Sequence, residues 1–168
     1  MNRITPLLIV AVAMMLLSCG NENLSDRIAK LEKQAFSTES AVNPEIAEQL
    51  VDVYCDFATQ NPENQQSAEY LFKAVDVSMN FDNPVKTFDI IDRLVQEYPD
   101  YEKTPMAVFV KGFIYETRYN NIEQAKAAYE KYLELYPEGE MAADCRASIE
   151  NLGLTPEELV KKFEAMEE

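Results

Sequence analysis

The stretch PMAVFVKGFIYETRYNNIEQAKAAYEKYLELYP, residues 105–137, decides the fold, because a version of it already occurs earlier in the chain. Slid back by 38 residues it falls on SAEYLFKAVDVSMNFDNPVKTFDIIDRLVQEYP, residues 67–99. Lys111 then meets Lys73, Gly112 meets Ala74, Asn121 meets Asn83, and Tyr136-Pro137 meets Tyr98-Pro99. The apolar positions Met106, Phe109, Val110 and Phe113 meet Ala68, Leu71, Phe72 and Val75, in steps that mark one face of a helix. In the second half of each unit, Tyr129 and Tyr132 meet Ile91 and Leu94. Each unit is therefore predicted to be a pair of helices stopped at Tyr-Pro, and self-similarity at a fixed spacing is the mark of a repeat architecture.

Working outward, the helix punctuation is strong. Asn43-Pro44, Asn61-Pro62, Asn83-Pro84, Thr104-Pro105 and Thr155-Pro156 each place a capping side chain before a proline suited to a first helical turn. Thr155 and Glu158 also have capping-box spacing. Few segments alternate as strands do and only four glycines occur, so the body is predicted to be all-α. Ala47 to Gln60 reads as the second helix of an earlier unit, and residues 141–152 and 156–166 as a terminal pair. Before them, Leu24, Ile28, Leu31 and Ala35 form a heptad seam under two heptads long. This seam reads either as a stalk or body-packing helix, or as a weak self-association surface over residues 24–36. Ser37 to Asn43 reads as a linker.

Residues 105–137 resemble a tetratricopeptide repeat, whose pattern has a small residue in its first helix, an alanine and an aromatic in its second, and a closing proline. Gly112, Tyr115, Ala125, Tyr129, Leu135 and Pro137 fill those places, while Lys111 replaces a leucine and residues 119–121 lengthen the turn. Residues 67–99 match more loosely, with Thr87 at the alanine position. The resemblance implies an α-solenoid of stacked antiparallel helix pairs over residues 44–168, and a scaffold rather than an enzyme. In that family the first helices line a concave face where peptide segments dock. A candidate partner groove then comprises Phe109 and Phe113 with Leu71 and Val75, rimmed by Lys73, Lys111 and Arg118. Core packing is the alternative for these side chains, because residues 106–115 are apolar nearly all round.

The N-terminus carries an address. After Arg3, residues 7–17 are an uninterrupted apolar run of secretory-signal length, short of the roughly 20 residues that span a bilayer. The run ends in Leu16-Leu17-Ser18-Cys19, which resembles the lipobox of bacterial lipoproteins. That resemblance implies cleavage after residue 18 and a diacylglycerol thioether on Cys19, usually with an acyl chain on its amine. Multiple chains anchor firmly where one gives marginal binding. The expected organisation is a signal peptide over 1–18, a lipidated tether with a short helix over 19–43, and the repeat domain over 44–168. Gly20, in place of an aspartate retention signal, favours the outer membrane of a Gram-negative bacterium.

Composition excludes several function classes. The net charge is −15, and the leader's single charged side chain is Arg3, so the mature part is more acidic still. No basic patch exists to contact phosphates, and nucleic acid is not an expected partner. With no histidine, Ser-His and Cys-His nucleophiles and imidazole zinc sites are out. No Gly-rich phosphate loop or complete calcium loop occurs, so no catalytic residue, metal ligand or cofactor is assigned beyond the covalent lipid. Cys55 and Cys145 both sit on apolar faces about two units apart, which favours buried free thiols over a disulfide.

The expected function is a lipid-anchored tetratricopeptide-type scaffold of the cell envelope, not an enzyme, binding envelope proteins or peptide segments. Lipidation followed by helical hairpins resembles the lipoproteins of the outer-membrane β-barrel assembly machine. A heptad helix before such repeats resembles the periplasmic proteins that coordinate peptidoglycan synthesis with outer-membrane constriction. The alternatives are a surface-exposed structural or binding lipoprotein and, behind it, a carboxylate-dependent hydrolase.

Overall fold

A computed structural model describes residues 23–36 and 43–166. The expected leader, Cys19 and residues 37–42 of the expected linker lie outside them. Among the described residues there are eight α-helices and no strand: α1 (Leu24–Ala35), α2 (Pro44–Gln60), α3 (Gln65–Ser78), α4 (Val85–Glu97), α5 (Thr104–Thr117), α6 (Ile122–Leu135), α7 (Ala142–Asn151) and α8 (Pro156–Glu164). None of these helices is long and apolar enough to cross a membrane.

Each helix from α1 to α7 packs on its neighbours in sequence, and α3 also meets α5. The joints between hairpins repeat in detail. At Asn61, Tyr98 and Tyr136 the backbone leaves a helix with φ near −135° and ψ near 60°. The carbonyl of each then accepts from the amide three residues on, whose own carbonyl accepts from the amide three further on: 61/64/67, 98/101/104 and 136/139/142. In the first two joints a buried hydroxyl closes the turn, Ser67 donating to the Asn61 carbonyl at 2.6 Å and Thr104 to the Tyr98 carbonyl at 2.8 Å. The joint thereby supplies partners to carbonyls and amides that a helix end leaves open.

The joints correct two sequence expectations. Asn61-Pro62 does not open a helix: Asn61 ends α2, and Asn64 caps α3 by accepting from the Gln66 amide. Thr104 opens α5, but its hydroxyl turns back to the joint instead of capping. Asn43 and Thr155 cap as expected, the latter in a full capping box, and Asn83 accepts from the Val85 amide.

The joints also correct the repeat register. The first two are 37 residues apart and the next two 38, so α3 falls on α5 at 37 and α4 on α6 at 38. The added residue falls between the cores of α5 and α6, where α5 runs on to Thr117 and the turn 118–121 is shorter than the turn 79–84. In it Asn120 takes φ 45°, a left-handed conformation that asparagine tolerates better than most residues. In this register Ser67, Leu71 and Val75 match Thr104, Val108 and Gly112, and all six are buried. Thr87, Ile91 and Leu94 match Ala125, Tyr129 and Tyr132, all fully buried. Gly112 is required by close approach, since a Cβ there would lie 2.5 Å from the Tyr129 ring.

Further bonds tie successive hairpins together at both ends. Tyr98 Oη donates to the Pro62 carbonyl at 2.9 Å, and Tyr119 Oη to the Asp82 carbonyl at 2.6 Å. Arg118 donates to the Met79 carbonyl. Lys86 pairs with Asp52 at 2.5 Å, linking α4 to α2.

Helix α1 belongs to this body. Ile28, Leu31 and Ala35 are buried in the same core cluster as Leu50, Tyr54 and Leu71. Of the two sequence readings the structure has the body-packing helix, and the seam is consumed within the chain. Truncating Ile28 to Ala should therefore cost about 2–5 kcal/mol in urea unfolding. A detached stalk would leave the unfolding curve where it was.

Candidate functional site

The α1–α2–α3 group leaves open a groove of about 650 Å³. Its apolar wall comprises Phe36 at the end of α1, Pro44 and Ala47 at the start of α2, and Val77 and Phe81 at the end of α3. Phe36 is 60 % exposed, and hydrophobic side chains gathered on an open concave surface are the ordinary signature of a binding site.

A polar cluster closes one side. Tyr54 Oη donates to Glu32 Oε1 at 2.7 Å, and Lys73 Nζ donates to the same oxygen at 2.9 Å. Burial disfavours the Glu32 carboxylate, yet the two hydrogen bonds and the Lys73 charge outweigh it and hold its pKa below 4.5. The same balance raises Lys73, where burial is outweighed by Glu32 and then Glu69. Burial, followed by the bond to Glu32, pushes the Tyr54 phenol far up, so it stays a donor at neutral pH. Asp76 also lines the groove; burial raises its pKa, opposed by the charge of Lys103. The site therefore offers an apolar wall, a neutralised Glu32–Lys73 pair and an acidic residue at Asp76.

The seven side chains of the sequence-derived groove do not form one surface. Leu71 and Val75 are fully buried in the core and line no groove. The cause is the register: at 37 residues their counterparts are Val108 and Gly112, not Phe109 and Phe113. Phe109 and Phe113 do come together, in a second groove of about 470 Å³ shared with Ser148 of α7 and with Leu159 and Phe163 of α8. Phe113 is 43 % exposed, while Phe109 packs toward Tyr129 with ring centroids 5.6 Å apart. Lys73 belongs to the first groove instead. Lys111 pairs with Asp92 at 2.7 Å over the Phe88 ring, and Arg118 is spent on the Met79 carbonyl. Neither rims the Phe109–Phe113 surface.

The sequence reading missed the first groove, apart from Lys73, because α1 was separated from the repeats. The available signal was the seam itself, whose Glu32 follows Leu31 on a face that has to pack on something. Cys55 and Cys145 are free. Burial pushes each thiol up to about 11, which keeps both protonated and unreactive at neutral pH.

No protein-family model and no curated protein matches the chain.

The pH dependence of Glu32 follows from its partners. A carboxyl whose folded pKa lies below its unfolded value stabilises the native state above the unfolded value, and that stability is lost as the pH falls through the folded value. Glu32→Gln should therefore flatten the loss of stability on acidification below about pH 4.5, in urea unfolding curves taken on both sides of that value. An unchanged slope would mean that Glu32 makes no net contribution.

Proposed function

We propose that this chain is a lipid-anchored helical-repeat scaffold of the bacterial envelope, a tetratricopeptide-like solenoid carried on Cys19 and holding a partner's polypeptide segment. The observation that carries the proposal is the threefold joint: a chain that turns the same way at Asn61, Tyr98 and Tyr136 sets successive hairpins in similar relation. Such repeats leave an extended surface for binding. The first groove supports a binding role because it pairs exposed apolar side chains with positioned polar ones. Its Glu32 is occupied by two donors, which suits a structural carboxylate better than an acid–base catalyst.

The apolar run before Leu16-Leu17-Ser18-Cys19 supports export and lipidation, and Gly20 favours the outer membrane. An acidic surface of net charge −15 has little attraction for anionic headgroups, so the lipid supplies the membrane affinity that charge does not. Proteins of outer-membrane assembly and of envelope constriction are the leading partner classes in this proposal.

The test places a photoreactive residue at Asn80, in the groove, or at Glu134, exposed on α6, and irradiates intact cells. The Asn80 protein should crosslink an envelope protein that the Glu134 protein does not. Joint replacement of Phe36 and Val77 by Asp should lower that adduct about tenfold or more, as loss of an interface anchor does. Equal adducts from both positions, or none from Asn80, would remove the groove from the account.

A further inference from the structure

The anchor and the body are joined by very little chain. From Cys19 to the first residue of α1, Leu24, there are five residues, which span no more than about 18 Å when fully extended. If Cys19 is lipidated, as the reading above holds and this inference requires, the N-terminal end of α1 is confined close to the headgroups. Whatever else lies at that end is confined with it.

What lies there is a polar concavity formed where the start of α1 meets the α2–α3 joint. Five amide side chains line it: Asn23, Gln60, Asn61, Asn64 and Gln66. Its charged members, Arg27 and Asp56, cancel, and Asp26 and Glu63 stand nearby in sequence. For a chain with 30 acidic against 15 basic residues this is a carboxylate-poor lining. Over the same seven joint residues, 61–67 carry only Glu63, 98–104 carry Asp100 and Glu102 against Lys103 for the same net charge, and 136–142 carry Glu138 and Glu140 with no basic residue. The Asn23 and Asn64 oxygens cap helices and Asn61 Nδ2 donates to the Phe57 carbonyl. The remaining amide groups of this lining suit the phosphates and amines of zwitterionic headgroups through hydrogen bonds.

We propose that this end, built from Asn23, Gln60, Asn61, Asn64 and Gln66, is the membrane-facing surface of the anchored protein and rests on zwitterionic lipid headgroups. The Phe36–Val77–Phe81 groove opens at the opposite ends of α1 and α3. With 12 residues in α1, that places the groove about 18 Å along the helix from the bilayer-facing end. The anchor thereby sets an orientation as well as an address: it turns the amides toward lipid and the apolar groove toward the aqueous phase, where a partner segment can enter.

The experiment uses the full mature chain lipidated at Cys19, floated on phosphatidylcholine–phosphatidylethanolamine vesicles that carry a headgroup-attached quencher. A fluorescent amino acid replaces Gln66 in one protein and Asn80 in another; both are exposed and lie near opposite ends of α3. Thermal unfolding of each confirms that the label leaves the fold intact. The Gln66 label should be quenched several-fold more strongly than the Asn80 label. Equal quenching with flotation retained, or stronger quenching at Asn80, overturns the orientation and leaves the lipoprotein reading standing. Flotation no better than that of Cys19→Ser overturns both.

Discussion

The rest of the structure depends on the way the chain turns from one hairpin to the next. A helix end leaves carbonyls without partners, and burying such an end is costly unless each is satisfied. At Asn61, Tyr98 and Tyr136 the same short ladder of backbone bonds supplies the partners, and at two of the joints a buried serine or threonine hydroxyl adds one more. Because the solution is the same each time, the helices that follow leave the joint in similar relation to those before it. The packing of α3 and α5, and the bonds from Tyr98, Arg118 and Tyr119 to the previous unit, are consequences of that repetition.

The units are not copies, and their differences show where the chain departs from its own rule. At the alanine position of α6 the site is satisfied by Ala125, fully buried. Its counterpart Thr87 is equally buried, and its hydroxyl is without a hydrogen-bond partner among the described residues. At the next core position Gly112 makes room for Tyr129, whose phenol reaches Glu116 at 2.6 Å, whereas Val75 and Ile91 fill the same places with aliphatic side chains. Gly139 serves Tyr132 in the same way, where a Cβ would lie 2.5 Å from the phenolic oxygen. The α5–α6 unit thus uses tyrosines balanced by glycines, and α3–α4 uses branched aliphatics.

Much of this was legible in sequence for physical reasons. Helical periodicity and Asn/Thr-Pro punctuation are local signals and announced an all-helical body, although Asn61-Pro62 put the start of α3 too early. The self-similarity of residues 67–99 and 105–137 was legible too, but not its register. A single offset of 38 hid the extra residue between the cores of α5 and α6, because Lys73/Lys111 and the Tyr-Pro stops agree at 38 while core burial in the first helices agrees at 37. That one residue moved Leu71 and Val75 from a supposed groove into the core. The open groove at Phe36 was not legible, since it depends on where α1 lands and on Glu32 meeting Lys73 across 41 residues. Short seams such as Leu24–Ala35 state only that a face must be covered, not by what.

The proposed reading joins a lipid, a short tether, an amide-rich end and an apolar groove in one body. Its central claim is that the mature chain begins at Cys19 and is held there by lipid. Mass spectrometry of the N-terminal peptide from membranes of the producing bacterium tests this most directly. The account predicts a peptide that starts at Cys19 and carries a thioether-linked diacylglycerol. A chain that retains residues 1–18, or one that starts elsewhere with an unmodified cysteine, would contradict it.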